Sequence, residues 1–265
     1  MAEIKDVQML KDEARHDFHS LISIMALLRS EGGCPWDREQ THESIRSNLI
    51  EETYEVVEAI DNRDPSLMQE ELGDLLLQVV FHARIAEEAG EFSMDHVVHD
   101  ISEKLIRRHP HIFADVQADT SDEVLANWEQ IKTEEKHRVG LAGSVEAIPP
   151  ALPALMRMQK IAKKAAKADF VPGEGVAEQA LSHAAAAIAD GSGDLTENIA
   201  AALTALSLIA QRNGADAEEI LSHKCGDIVS GIRENEAKVD TLTDCETQKR
   251  SEIVNNVFFS HKKAN

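Results

Sequence analysis

Residues Glu70-Glu71-Leu72-Gly73-Asp74-Leu75-Leu76-Leu77-Gln78-Val79-Val80-Phe81 decide the fold. From Leu75 to Phe81 the run is apolar almost all round a helix, so the spacing predicts a buried helix. A second helix carries Leu49-Ile50-Glu51-Glu52-Thr53-Tyr54-Glu55. With each residue advancing about 100°, Glu52 falls between Ile45, Leu49 and Val56, inside the apolar stripe. Glu55 lies at the stripe's margin. On the first-quoted helix Glu71 lies between Leu67 and Leu75, with Asp74 one turn along on the same side. Carboxylates three residues apart share a face, so two such pairs on adjacent helices point into a core.

Four unpaired anions in an apolar interior cost several kcal/mol each. Buried Lys or Arg partners, protonation or a divalent cation could offset that cost. Neither helix carries a basic residue on the carboxylate face except His82. A hard, oxygen-liganded ion, Mg²⁺ or Mn²⁺, fits best. The alternative is chance, because 48 acidic residues throw up such pairs on solvated faces; the stripe positions argue against it here. A ferritin-type di-iron site needs E-x-x-H pairs on bundle helices. Glu13/His16, Glu39/His42 and Glu134/His137 have that spacing but lie in hydrophilic stretches.

The 265 residues suit one large domain or two modest ones. Hydrophobic residues make up 43% against 4% aromatic, enough for a core and favouring helices over sheets. Helices are expected at about 4–29, 44–60, 65–89, 93–108 and 121–136. A stretch rich in Gly, Pro and small residues, 140–153, marks the domain boundary. Further helices follow at about 155–167, 177–190, 195–212, 217–235 and 248–259. The chain is expected to be all-α. Each half carries an apolar helix ending at a glycine-marked turn, Leu67–Gly90 and Leu195–Gly214, which suggests duplication of one helical unit.

Lys and Arg number 27 against 48 Asp and Glu, a net charge of −21. That excludes a passive surface for nucleic acid or an anionic membrane. Any phosphate ligand arrives with cations or meets a local basic patch. Cys34, Cys225 and Cys245 are odd in number and form no C-x-x-C, so neither a zinc site nor a disulfide framework is expected. The N-terminus lacks a signal-peptide layout, and the apolar runs are too short to span a bilayer. A soluble protein of a reducing cytoplasm is the expectation.

Two clusters supply positive charge. Lys104, Arg107 and Arg108 end a helix just before His109-Pro110-His111, where basic side chains also suit the helix dipole. Trp128 and Lys132, four apart, share a face of the next helix. With a metal site they describe cations for phosphate oxygens and an aromatic face for a base. The turn Gly33-Cys34-Pro35-Trp36-Asp37 is expected to be a tight connection with Trp36 capping the core. Cys34 has no paired base arguable from sequence and is left structural.

The motifs Cys34-Pro35-Trp36-Asp37-x-x-Gln40-Thr41-His42, Glu51-Glu52-Thr53-Tyr54-Glu55 and Glu71-Leu72-Gly73-Asp74-Leu75-Leu76 resemble the MazG nucleoside triphosphate pyrophosphohydrolases. So do Arg107-Arg108-His109-Pro110-His111-Ile112-Phe113, Trp128-Glu129-Gln130-Ile131-Lys132 and Leu152-Pro153-Ala154-Leu155-Met156. The likeness covers about residues 20–165. It implies two tandem all-helical MazG domains, residues 1–143 and 144–265, in a homodimer with a bundle built across it. It implies Mg²⁺ ligands at Glu52, Glu55, Glu71 and Asp74, and substrate contacts at Lys104, Arg107, Arg108, Trp128 and Lys132. The implied activity is hydrolysis of an NTP or dNTP to the NMP and pyrophosphate. Glu51 is a weak candidate to orient the water, and no base is assigned.

The second half departs from the pattern. Registered on Asn213-Gly214, its E-x-x-D positions read Asn198 and Ala201, and its E-E-x-x-E region reads Leu181-Ser182-His183-Ala184-Ala185-Ala186. The first half is then the only magnesium site, and the Ala-rich second half serves packing, dimerisation or regulation. The rival class is a non-catalytic, nucleotide-binding regulatory protein.

Overall fold

The computed structural model describes residues 5–135, 140–240 and 247–259. Lys136, Cys245 and the Glu134/His137 pair fall outside that description. The chain divides into two compact units, one ending at Glu135 and the other beginning at Lys136. The described residues form fourteen helices and no strand. No helix among them is long and apolar enough to cross a membrane.

The first unit contains α1 (Val7–Asp12), α2 (Phe18–Leu28), α3 (Pro35–Glu39), α4 (Arg46–Asn62), α5 (Pro65–Glu88), α6 (Met94–Arg108), α7 (Pro110–Phe113) and α8 (Ser121–Glu135). The single helix expected over 4–29 is two. Asp17 accepts a hydrogen bond from the Ser20 N–H while Ser20 Oγ accepts from the Asp17 N–H, a reciprocal cap that starts α2 afresh. Lys5 Nζ ties the break together, 2.5 Å from Glu13 and 3.2 Å from Asp17. Lys5 and Ser20 hold the Glu13 carboxyl down to about 2.

α4 and α5 form an antiparallel hairpin. Asp64 caps α5 by accepting from Ser66 N–H and Leu67 N–H, with Pro65 preset for the first helical position. Met25, Ile45, Val80 and Phe81 make the buried core, with Leu21, Leu28, Leu77 and Ile85 against it. α2 covers α5 around Val80 and Phe81. The expectation of burial all round fails nearer the start, where Leu72 is 48% and Leu76 39% exposed. Nothing among the described residues of this unit covers that side.

Trp36 does not cap the core, being 57% exposed. Arg29 fastens the turn instead. Its Nη1 donates to the carbonyls of Asp37 and Gln40, its guanidinium stands 5.3 Å from the Phe81 ring centroid, and it pairs with Glu88 at 2.8 Å. Cys34 is half-buried at the start of α3, its N–H donating to Leu28 O at 2.8 Å.

The second unit contains α9 (Gly140–Glu146), α10 (Ala154–Ala166), α11 (Val176–Asp190), α12 (Leu195–Arg212), α13 (Ala217–Asp240) and α14 (Thr247–Phe259). The expected boundary stretch therefore opens with a helix, and a cut between Gly143 and Ser144 falls inside it. α11 and α12 pair as α4 and α5 do, and α10 packs on α12 as α2 packs on α5.

The helix ends match in detail. After α5, Gly90 (φ +74°) donates to Glu87 O and Glu91 N–H to Ala86 O, both at 3.0 Å. After α12, Gly214 (φ +71°) donates to Gln211 O at 3.2 Å and Ala215 N–H to Ala210 O at 2.9 Å. Both are Schellman turns closed by a left-handed glycine. α4 and α11 end alike, with Arg63 (φ 53°) and Gly191 (φ 71°) in left-handed geometry. Registered on these turns, Leu195 and Asn198 stand where Glu71 and Asp74 stand, and Ala180 and His183 where Glu52 and Glu55 stand. The α12 register thus sits three residues before the one read from sequence. α12 has 18 residues against 24 in α5, so the two helices agree from only one end.

Candidate metal centre

The α4–α5 hairpin brings Glu52, Glu55 and Glu71 together. Each offers a carboxylate oxygen, and these atoms lie within 4.8 Å of one another. All three side chains are half-buried, at the edge of the interior rather than inside it. Asp74, one turn along α5, is exposed and stands outside that group, yet its charge reaches Glu52 and Glu71. Desolvation pushes the Glu52 carboxyl above its ordinary value, reinforced by Asp74, Glu55 and Glu71. Desolvation also raises Glu71, reinforced by the charges of Glu55, Glu70 and Asp74. Glu51, next to Glu52 in the chain, is exposed.

Such a site can take up a proton or a cation. Like charges gathered on one spot raise each other's pKa, and a divalent ion reverses that penalty. Three or four carboxylates with no nitrogen or sulfur donor suit a hard ion. His82 is not their counter-charge. Burial pushes its pKa down, and its Nδ1 is hydrogen-bonded at 2.7 Å to Nδ1 of His42. The E-x-x-H pairs build nothing of the ferritin kind among the described residues. Glu13 is engaged by Lys5 and by His16 at the surface, and His42 by His82.

The basic cluster is partly assembled. Arg108, only 8% exposed, holds its guanidinium 5.1 Å from the Trp128 ring centroid. Lys132 Nζ lies 4.5 Å from the same centroid and 3.7 Å from Glu129. α6 and α8 thus converge on one ring carrying two cations. Lys104 and Arg107 are exposed on α6. Sequence reasoning placed these residues on helix faces but missed the Arg108–Trp128 contact, whose signal was an arginine doublet ending α6. It also missed the His42–His82 pair, which no local spacing announces.

The MazG nucleotide pyrophosphohydrolase domain model matches residues 40–113. A nucleoside triphosphate pyrophosphohydrolase of Escherichia coli K12 is 52% identical over 151 residues, 57% of each chain. The nucleoside triphosphate pyrophosphohydrolase/pyrophosphatase MazG of Thermotoga maritima is 47% identical over 164 residues, 61% of this chain and 62% of that one. An uncharacterized 26.1 kDa protein of Streptomyces cacaoi is 37% identical over 198 residues, 72% of this chain and 81% of that one. The chain thus spans somewhat over half the length of the two named pyrophosphohydrolases.

Proposed function

The chain belongs to the MazG nucleotide pyrophosphohydrolase domain family, and from that premise we propose that it hydrolyses nucleoside triphosphates, ribo or deoxy, to the monophosphate and pyrophosphate. The observation that carries the reading is the Glu52–Glu55–Glu71 cluster, whose oxygens gather within 4.8 Å. The MazG domain that bears the site lies within residues 1–143, its compact unit ending at Glu135. Residues 144–265 form a degenerate copy for packing, dimerisation or regulation, a reading supported by the matched helix ends and by Leu195 and Asn198 at the acid positions.

Glu52, Glu55, Glu71 and Asp74 would hold Mg²⁺, with Mn²⁺ as a substitute. When bound, the ion supplies cancellation of triphosphate charge and polarisation of a phosphoryl oxygen. Water attacks the α-phosphorus, the bond to the bridging α,β-oxygen breaks, and pyrophosphate departs. Glu51, exposed and next to Glu52 in the chain, orients that water. Lys104, Arg107, Arg108 and Lys132 stabilise charge on the phosphoryl oxygens. Trp128 positions two of those cations.

The chain works as a homodimer in this reading. Support comes from Ile50, Tyr54 and Val57 of α4 and Met68, Leu72 and Leu76 of α5, apolar side chains all left exposed. Nucleotide and Mg²⁺ chemistry, with Cys34 and Cys225 both free thiols, suits a cytoplasmic enzyme without nucleic-acid or membrane partners. A product-resolved assay across NTPs and dNTPs, with Mg²⁺ and with EDTA, tests the proposal. Pyrophosphate and NMP are expected with Mg²⁺ alone; NDP with orthophosphate would sink it.

A further inference from the structure

Two imidazoles forty residues apart meet in an unusual way. Nδ1 of His42 and Nδ1 of His82 are 2.7 Å apart, while the ring centroids are 5.0 Å apart and the planes differ by 6°. Rings stacked face to face could not bring one nitrogen pair that close and keep the centroids that distant. They lie edge to edge, nearly in one plane, joined by an N–H···N hydrogen bond. The result is a flat plate about the width of two fused heterocycles. Neither ring is sealed off, both being half-buried.

The plate continues the acidic face. Asp74, Gln78 and His82 follow each other at four-residue steps, each about 6 Å further along α5 on the same side. Gln78 is only 7% exposed, yet its Oε1 has no hydrogen-bond partner, and neither has the buried Nε2 of His82. Buried polar atoms are ordinarily satisfied, so an orphaned pair beside a polar cluster points to a polar ligand. Trp128, the aromatic residue that sequence reasoning assigned to a base, carries Arg108 and Lys132 over its ring.

We propose that the coplanar His42–His82 pair is the platform on which the substrate's nucleobase stacks, with Gln78 meeting the base edge. The proposal rests on the pyrophosphohydrolase reading and deepens it. It places the triphosphate at the acids and the nucleoside one to two helical turns towards the end of α5. Stacking tolerates every base, because each has a π-face. The edge-reading group is then Gln78, whose amide offers both a donor and an acceptor.

The competing account makes the N–H···N bond a strut that fastens the start of α4 to α5. Steady-state kinetics on NTPs and on inorganic tripolyphosphate, which has no base, separates the two. In His82→Ala and His42→Ala the ratio of kcat/KM for NTP over tripolyphosphate should fall between about 5-fold and about 100-fold, mainly through KM. His82→Phe, which keeps a flat ring, should recover most of that ratio, and Gln78→Leu should change the ranking of bases. Equal losses on both substrates would overturn the proposal. Should these variants fail to fold, the wild-type chain decides. Adding an α,β-methylene NTP with Mg²⁺ should move the His42 and His82 ring C–H resonances upfield, and unmoved resonances would overturn it. A wild-type chain that releases no pyrophosphate from any NTP removes the pyrophosphohydrolase reading, while the resonance experiment still reports on the platform.

Discussion

Glu55 of α4 and Glu71 of α5 face each other across the helix hairpin, close enough that the Glu55 carboxylate raises the pKa of Glu71. Two helices that pack well elsewhere thus bring together charges that repel. In the absence of a cation the arrangement costs stability, and that cost is the physical signature of a binding site.

Stability should depend on pH in opposite directions for two groups of acids. Glu52 and Glu71 hold their protons to higher pH when folded than when unfolded. As pH climbs above the ordinary 4.5, the folded state binds more protons than the unfolded state, and stability falls. Glu13 and Glu88 are shifted down, so their contribution is present above that range and fades as pH drops. Thermal melts in EDTA between about pH 5 and about pH 8 should show a decline that Mg²⁺ abolishes and Glu71→Gln reduces. Equal curves with and without Mg²⁺ would contradict the account.

Removing one acid should separate activity from stability. Glu71→Gln and Glu52→Gln should lower kcat/KM at least about 100-fold. The same variants should melt no lower than wild type in EDTA, because each removes a repulsive charge. Loss of activity accompanied by a lower midpoint would mean that these carboxylates hold the fold together.

Arg108, Trp128 and Lys132 should behave as one unit. Lys132→Ala should cost about 10-fold to about 1,000-fold in kcat/KM, the range for a charge aimed at the transition state. Trp128→Leu should raise KM by removing the ring face that positions both cations, and Trp128→Phe should recover part of the loss because a ring face remains. A Trp128→Leu enzyme with wild-type KM would remove Trp128 from the site.

Arg29 should matter to stability well beyond a surface arginine. Its buried guanidinium serves Glu88, two carbonyls of the 37–40 segment and the Phe81 face. Arg29→Ala should destabilise the first unit by about 2–4 kcal/mol, chiefly by leaving polar groups unpaired. Urea denaturation measures it; a change under about 0.5 kcal/mol, typical of exposed sites, would refute the role.

These contacts also explain how far the sequence could be read. α4, α5 and their acids were legible because 3.6-residue periodicity puts Glu52 and Glu71 among apolar neighbours. Local signals also gave Asp64-Pro65 as a helix start and Gly90 and Gly214 as stops. The break between α1 and α2 was not legible, since Lys5 reaches across it to Glu13 and Asp17 and the residues there are compatible with continuous helix. Trp36 looked like core because a large aromatic beside a tight turn commonly is, but Arg29 had already filled that place. The His42–His82 plate joins the turn before α4 to α5, the Arg108–Trp128 contact joins α6 to α8, and only tertiary structure creates them.

Divalent-ion binding reads the metal centre itself. Mn²⁺ titrated into the full chain, with free ion followed by electron paramagnetic resonance, should show saturable binding that Glu71→Gln weakens at least about 10-fold. It should also weaken as pH falls and Glu52 and Glu71, whose pKa values are raised, take up protons. Mn²⁺ bound equally well by wild type and by Glu71→Gln would contradict the claim that these carboxylates form the metal centre.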